Sequence, residues 1–398
     1  MENKQGALAG LQVLDLTRVL AGPFCTMMLA DMGAEIIKIE RPGVGDDTRQ
    51  FSPFKNGESA YYMNLNRNKK GITLNLKGRG KALFLELVKT ADIVVENYRP
   101  GTMEKLGLGY DELRKVNPRI IYCAISGFGH TGPYSQRPSY DIIGQAMGGL
   151  MSTTGWPGGE PTRSGTAMSD VLAGLSATIG TLAALRHRDQ TGEGQKVDIA
   201  LVDSVVASLE IITQIYLTEG RIPERIGNRY ESCYPYDTFK ARDGDVVIAA
   251  ANDKLWSLVA QTMGQPELAT REEFNSNPLR VKNHALLKPI IEIWSRQYSV
   301  NEIVDCMLNA GVPAAPINNI DQLVSDPHIA DAREMFIDVE HPIAGTLKLT
   351  GSHIKLTSTP TGIRTPSPLL GQHNQEIYSS RLGLDDAELA QLRAEGIL

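Results

Sequence analysis

Cysteine and histidine are scarce in this 398-residue chain, and neither is clustered. The four cysteines (Cys25, Cys123, Cys233 and Cys306) show no CxxC spacing, which argues against a zinc site and a disulfide framework. That usage fits a reducing cytoplasm, the expected compartment. The seven histidines are dispersed with no HExxH pair, so no metal site is expected. The glycine turn after EIIKIE, in IERPGVGDDTR (39–49), is not GxGxxG and no GK[ST] follows it, so neither a dinucleotide nor an NTPase fingerprint stands at that strand end. Positive charge is in deficit: the formal net charge is −6, which argues against nucleic acid as a main partner. The first ten residues, MENKQGALAG, lack the apolar core of a signal peptide. The longest apolar stretch, 171–185, falls short of the ~18–20 residues that span a bilayer, so no membrane partner is expected. It reads as a buried helix, apolar or small on all sides. No internal repeat or low-complexity tract is visible.

What is present is a rhythm of strands and helices. A hydrophobic fraction of 42% and a charged fraction of 22% are globular values. LQVLDLT (11–17) reads as a buried strand, 23–33 as a helix ending at Gly33, and EIIKIE (35–40) as a second strand. ITLNLK (72–77), DIVVENY (92–98) and RIIYCAISGFG (119–129) continue as strands, with helices near 80–91 and 102–116. Residues 194–217 read as a strand running into one long helix, and 345–357 alternates like a hairpin. The expected fold is α/β: a doubly wound, Rossmann-like large domain over 1–220, and a linker with a smaller α+β domain over 221–320. Residues 321–398 then return to the large domain.

Several residues could carry chemistry, each with a plain structural alternative. Asp170 is the only charge in SGTAMSDVLAGLSATIG (164–180). It either caps the helix that follows or acts as a reactive carboxylate. Residues 66–81 hold Arg67, Lys69, Lys70, Lys77, Arg79 and Lys81 with no acid. That run is either a solvated face or a site for a polyanionic small molecule. Arg41 follows a strand in a glycine-rich turn, where such folds hold ligands. Asn97 and Tyr98 end another strand. His130, in SGFGHTGP, is a possible base or a loop residue, and Tyr140 and Asp141 contact a ligand or start a helix.

Taken together, VLDLTRVLAGPFC, AEIIKIERPGVGDDTR, ADIVVENYRPG, SGFGHTGP, YDIIGQA, the Asp170 segment, GVPAAPINN and PLLGQHNQEI resemble, in order and spacing, the class III CoA-transferases of the CaiB/BaiF family. The resemblance covers essentially the whole chain. It implies that Asp170 is a nucleophile that carries CoA as an aspartyl thioester. It implies coenzyme A contacts at Val19, Ala21, Arg41, Leu74, Lys77, Asn97, Tyr98, Lys105 and Tyr140. Lys105 stands where Arg is frequent, and Lys meets phosphate as a point charge rather than a planar fork. It also implies acyl-CoA and a small carboxylic acid as substrates, no tightly bound cofactor, and an interlocked, ring-like homodimer.

An ionised Asp170 is expected at neutral pH, because a free Asp titrates near 3.9. The related α-methylacyl-CoA racemases carry His where this chain has Tyr140, and Tyr is a poor base at pH 7 unless His130 takes that part. GDDTR, RPGTMEKLG, NDKLWSL and GVPAAPI look most like the acetyl-CoA:oxalate branch. The formyl-CoA:oxalate branch carries a glycine run that residues 227–237 lack. Succinate-linked and carnitine-type transferases share most of these motifs. Arg163 either binds an acceptor's second carboxylate or lies on the surface.

Overall fold

The computed structural model describes residues 6–398. Two compact units divide the chain: residues up to Leu150, Arg163–Arg221 and Pro327–Leu398 form the first, and Met151–Thr162 with Ile222–Asp326 the second. The short segment 151–162 therefore leaves the first unit well before the linker read from the sequence.

In the first unit, β1 (Gln12–Asp15), α1 (Ala21–Asp31) and β2 (Glu35–Glu40) form the opening βαβ. They are followed by β3 (Lys69–Thr73), α2 (Arg79–Val88), β4 (Ile93–Glu96), β5 (Ile121–Ser126), α3 (Asp141–Met147) and α4 (Met168–Thr191). β6 (Lys196–Ala200), α5 (Leu201–Ser208) and α6 (Ile211–Glu219) complete the series. The six strands lie in the order β3-β2-β1-β4-β5-β6 and every neighbouring pair is parallel. This is the doubly wound α/β order. β1, β4 and β5 are buried along their whole length, which explains the apolar runs 13–14, 93–95 and 121–125 within them. Alternate residues face opposite layers: Leu14, Ile37, Val94 and Tyr122 enter one core, and Val13, Ile36, Val95 and Cys123 the other.

The small residues of α4 let it approach α1. A Cβ at Gly174 would lie 2.8 Å from the Ala21 carbonyl oxygen and 3.0 Å from the Phe24 ring. The return segment closes the β3 edge. His373 N–H donates to the Gly71 carbonyl (2.9 Å), Gly71 N–H to His373 Nδ1 (3.0 Å), and Thr73 N–H to Asn374 Oδ1 (2.8 Å). An edge that would otherwise recruit another chain is thereby satisfied. The second unit has a three-stranded antiparallel sheet of Tyr236–Lys240, Asp245–Ala249 and Ala314–Pro316. Its core is built on Phe239, Ile248, Trp256, Ile291 and Met307.

Under the carboxyl ends of β1 and β2 lies a network of buried charge. Lys69 Nζ is 3.0 Å from Asp15 Oδ2, and Lys38 Nζ is 2.9 Å from Asp46 Oδ2. Burial alone would raise the Asp15 pKa, but Lys69, Lys38, Thr17 and Thr26 more than offset it and hold the carboxyl at about 2.

The structure corrects several expectations. The strand expected at 72–77 lies at Lys69–Thr73, because the edge pairing with β2 starts earlier. The helix expected over 102–116 is two, Thr102–Leu106 and Tyr110–Val116, broken where Gly107 turns left-handed (φ 66°). The long helix after β6 breaks into α5 and α6, bent by 75°. In 345–357 only Gly345–Thr350 is strand, and it pairs with Phe336–His341. α4 is 24 residues long, enough by length and composition to cross a membrane. It is buried on one face rather than all round, with Ile179 67% exposed.

Asp15→Ala should destabilise the fold by about 3–5 kcal/mol at pH 7, because it leaves Lys69 and Lys38 buried without that partner. The carboxylate contributes above the unfolded Asp range near 3.9 and its contribution is lost as pH falls toward 2. A urea midpoint unchanged from the parent protein would show that the network adds no stability.

Candidate active site

In a doubly wound sheet, ligands sit beyond the carboxyl ends of the strands where the order reverses, here between β1 and β4. A cavity of about 210 Å³ lies there. Val19, Ala21, Asn97, Tyr98, Tyr140 and Asp170 all line it, although they come from four separate stretches of chain.

The loop after β1 is held from below. Asp46 accepts hydrogen bonds from Val19 N–H (3.2 Å), Thr48 N–H (3.0 Å) and Lys38 Nζ (2.9 Å). Val19 is left-handed (φ 66°), a strained state for a β-branched residue that costs on the order of 1–3 kcal/mol. Asn97 clamps the same loop, accepting from Arg18 N–H (2.9 Å) and donating to the Arg18 carbonyl (2.7 Å). The β4 loop and the β1 loop are thereby tied into one wall.

Asp170 does not cap its own helix. α4 starts at Met168, which places Asp170 in the third helical position, and the N-cap residue Ala167 makes no side-chain bond. The cap comes from α3. Asp141 Oδ1 accepts from Ser169 N–H (2.9 Å), Ser169 Oγ (2.9 Å) and, at 3.4 Å, Asp170 N–H. Asp141 Oδ2 accepts from Gln145 Nε2 (2.7 Å), and Gln145 Oε1 accepts from Ser164 N–H (2.9 Å). Gly144 permits this approach, since a Cβ there would lie 2.6 Å from Ser169 Oγ. The Asp170 carboxylate is left without a hydrogen bond among the described residues, facing the cavity.

Burial pushes the Asp170 carboxyl up to about 7, and the Asp141 carboxylate adds to the rise. The expectation of a fully ionised Asp170 at neutral pH is thus corrected: desolvation and a like charge outweigh the helix N-terminus. Tyr61 is pushed up to about 12 by burial and then by the carboxylates of Asp170, Asp46 and Asp141. It stays a protonated donor in the field of the same acids.

Four expected contacts lie outside the cavity lining. Arg41, Lys77 and Lys105 are exposed and carry no ion pair among the described residues. The Leu74 side chain is 3% exposed and belongs to the core. The basic run 66–81 divides. Arg67 and Lys69 are buried on Asp31 and Asp15, Lys70 bridges Glu35 and Glu376, and Arg79 meets Glu395. Arg163 hydrogen-bonds its own loop at the Ser164 carbonyl (3.0 Å) and does not line the cavity. No histidine does either: His130 is turned inward, with Nδ1 2.9 Å from Lys196 Nζ. That removes the base the racemase reading requires. Among the described residues no group of three His, Cys, Asp or Glu is placed to hold a metal ion.

Three arginines of the cavity were missed by sequence reasoning: Arg18, Arg99 and Arg137. Arg18 meets Asp47 at 3.3 Å, and Arg137 stacks 3.6 Å over the Tyr134 ring. Each is a lone arginine in its own loop, and only the convergence of loops makes them a group.

Cationic loops around a desolvated carboxylate agree with the match of a family model, CoA-transferase family III, over residues 8–374. The chain belongs to CoA-transferase family III. It is 41% identical to a succinyl-CoA–D-citramalate CoA-transferase of Chloroflexus aurantiacus, over 98% of each chain. It is 42% identical to an acetyl-CoA:oxalate CoA-transferase of Acetobacter aceti, over 89% of this chain and 90% of that protein. The crystal structure of a CaiB/BaiF family protein from Brucella suis superposes with a TM-score of 0.84 at 37% identity, covering 95% of this chain and all of that one. The family III chain described here is therefore a CoA-transferase, with CoA thioesters and carboxylic acids as its substrates.

Asp141→Asn keeps an acceptor at the start of α4 and removes the neighbouring charge. The titration midpoint of Asp170, followed by carboxyl carbon NMR, should move down from about 7. A midpoint that stays in place would show that the Asp141 charge does not reach Asp170.

Proposed function

We propose that Asp170 is the nucleophile of CoA transfer and that the acceptor acid is a small dicarboxylic acid. The observation that carries this is the Asp170 carboxylate itself: desolvated, without a hydrogen bond, and relieved of capping by Asp141. A carboxylate with a raised pKa is a better nucleophile than an ordinary one, and still about half ionised at pH 7.

The Asp170 carboxylate attacks the donor acyl-CoA carbonyl, which gives a mixed anhydride and CoA thiolate. The thiolate attacks the aspartyl carbonyl of the anhydride, releasing the donor acid and leaving an aspartyl-CoA thioester. The acceptor carboxylate attacks that thioester, and thiolate leaves again. Thiolate then attacks the acceptor's acyl carbon in the second anhydride, which releases the new acyl-CoA and regenerates Asp170. Each step makes one acyl bond and breaks one, so no tightly bound cofactor is needed. Backbone N–H groups of the cavity loops are suited to the tetrahedral oxyanions.

The cavity is below the roughly 300 Å³ at which sites for drug-sized ligands begin, so it suits the acyl end of the thioester. Arg18, Arg99 and Arg137 at the cavity, with Arg41, Lys77 and Lys105 exposed, supply charge for the CoA phosphates. Val19, Ala21, Asn97, Tyr98 and Tyr140 are assigned to CoA through the cavity lining, and Leu74 only through its backbone. Citramalate and oxalate, the free acids in the two relatives' names, are both dicarboxylic acids, which supports that acceptor class. Acetyl-CoA with oxalate remains the pair the sequence motifs favour.

The interlocked homodimer is supported by apolar side chains left outside in the first unit. Ile179 on α4, Val206 on α5, and Tyr216 and Leu217 on α6 are 46–71% exposed. Sedimentation should give twice the 43.4-kDa chain mass, and a monomer would overturn the assembly. All four cysteines are free thiols, which supports a cytoplasmic location.

The activity test follows acyl-CoA products by mass spectrometry after mixing acetyl-CoA or succinyl-CoA with a panel of acids. Oxalyl-CoA from acetyl-CoA would support the oxalate pair, and transfer from succinyl-CoA to a larger diacid the broader reading. Transfer to monocarboxylic acids alone would overturn the acid class. Asp170→Ala should abolish every transfer with the fold intact, and retained turnover would remove Asp170 as nucleophile.

A further inference from the structure

Just behind the cavity wall sits a buried acid that the reaction does not use. Glu96 ends β4 and is 2% exposed. Its Oε2 accepts the Tyr98 N–H at 2.7 Å, which closes the turn that presents Asn97 and Tyr98. Its Oε1 accepts the Tyr122 hydroxyl at 3.2 Å. His130 Nε2, buried and without a hydrogen bond, lies 3.7 Å from the same oxygen. On the far side of the ring, Nδ1 faces Lys196 Nζ at 2.9 Å, while the His130 backbone N–H donates to the Asp198 carboxylate at 3.0 Å.

The proton inventory has one self-consistent form. The Lys196 ammonium can only donate, so His130 Nδ1 accepts and Nε2 carries the hydrogen. Every group aimed at Glu96 is then a donor: an amide, a phenol and an imidazole N–H. Only an ionised carboxylate accepts from all of them. Protonating Glu96 takes away one of its accepting sites and the charge that strengthens the bond from Tyr98 N–H, so the hold on the turn at 97–98 weakens. Because Asn97 also clamps the Arg18 backbone, the disturbance passes to the β1 loop.

We propose that Glu96 is a positioning residue whose ionisation sets the affinity for the CoA moiety, by holding the turn that carries Asn97 and Tyr98. This rests on the reading that those two residues contact CoA. The titratable groups facing Glu96 are Tyr98 on its own turn, Tyr122 and Cys123 from β5, His130 in the loop beyond, Lys196 from β6 and Glu104 from helix Thr102–Leu106. Burial pushes Glu96 up to about 7; the hydrogen bonds from Tyr98 and Tyr122 act downward, as does Lys196, while Glu104 acts upward. The switch point therefore falls near neutrality. Affinity is full above it and is lost as pH falls through it.

The test measures the dissociation constant of free CoA by calorimetry between pH 6 and 8, in Asp170→Ala protein so that Asp170 does not titrate. If binding needs ionised Glu96, the competent fraction falls about tenfold over that range, and affinity with it. Titration of the ligand's own phosphates is common to all variants and cancels between them. Adding Glu96→Gln should flatten the difference, and Lys196→Met should move the midpoint to higher pH by removing a cation that favours the carboxylate. A Glu96→Gln protein that keeps the parental slope would overturn the proposal. If that variant fails to fold, an unmoved midpoint in Lys196→Met does the same. Tyr98→Ala tests the underlying reading separately: unchanged CoA affinity there removes the contact, whatever the pH slope shows.

Discussion

The arrangement of the active site depends on one carboxylate that does no chemistry. Asp141 satisfies the free N–H groups at the start of α4, a task that the first acid of that helix would otherwise perform. Its second oxygen holds Gln145, which is fully buried and in turn holds the 164–166 loop. The contact is possible only because Gly144 has no side chain to strike Ser169. One residue thus joins α3, α4 and the loop before α4, and leaves the Asp170 carboxylate desolvated and without a hydrogen bond among the described residues. The same proximity raises the Asp170 pKa, so the support that frees the carboxylate also makes it more basic.

A second layer of charge works in the same way beneath the sheet ends. Lys38, Asp46, Asp15 and Lys69 have no access to solvent to speak of, and each is matched by an opposite charge. Asp46 spends one oxygen on Val19 and Thr48, and that bond keeps a β-branched residue in a left-handed turn. Backbone strain at the cavity wall is sustained by ion pairing under it. Fold stability and the shape of the site are consequences of the same buried groups.

Much of the architecture was legible from residues alone. The apolar runs at 13–14, 36–37, 93–95 and 121–125 mark buried parallel strands. Legibility failed where two structures share one pattern. Alternation in 345–357 could not tell that only its first half pairs, because the partner strand is Phe336–His341 and not the chain that follows. The basic run 66–81 could not reveal that Arg67 and Lys69 face internal acids, since their partners Asp31 and Asp15 are far away in sequence. The arginines at 18, 99 and 137 were invisible as a group for the same reason.

The sequence by itself determined the strand–helix succession, the parallel sheet and, through ordered motifs, the transferase family. Periodicity and turn chemistry are local, and motifs are linear, so a single chain of letters carries them. Tertiary structure alone decided what each acid does. Asp170 and Asp141 look equally fit to start a helix in the sequence, and only their meeting across α3 and α4 makes one the cap and the other the free carboxylate. Protonation behaviour follows from burial and from charges brought near by folding, and neither is a property of a residue's neighbours along the chain.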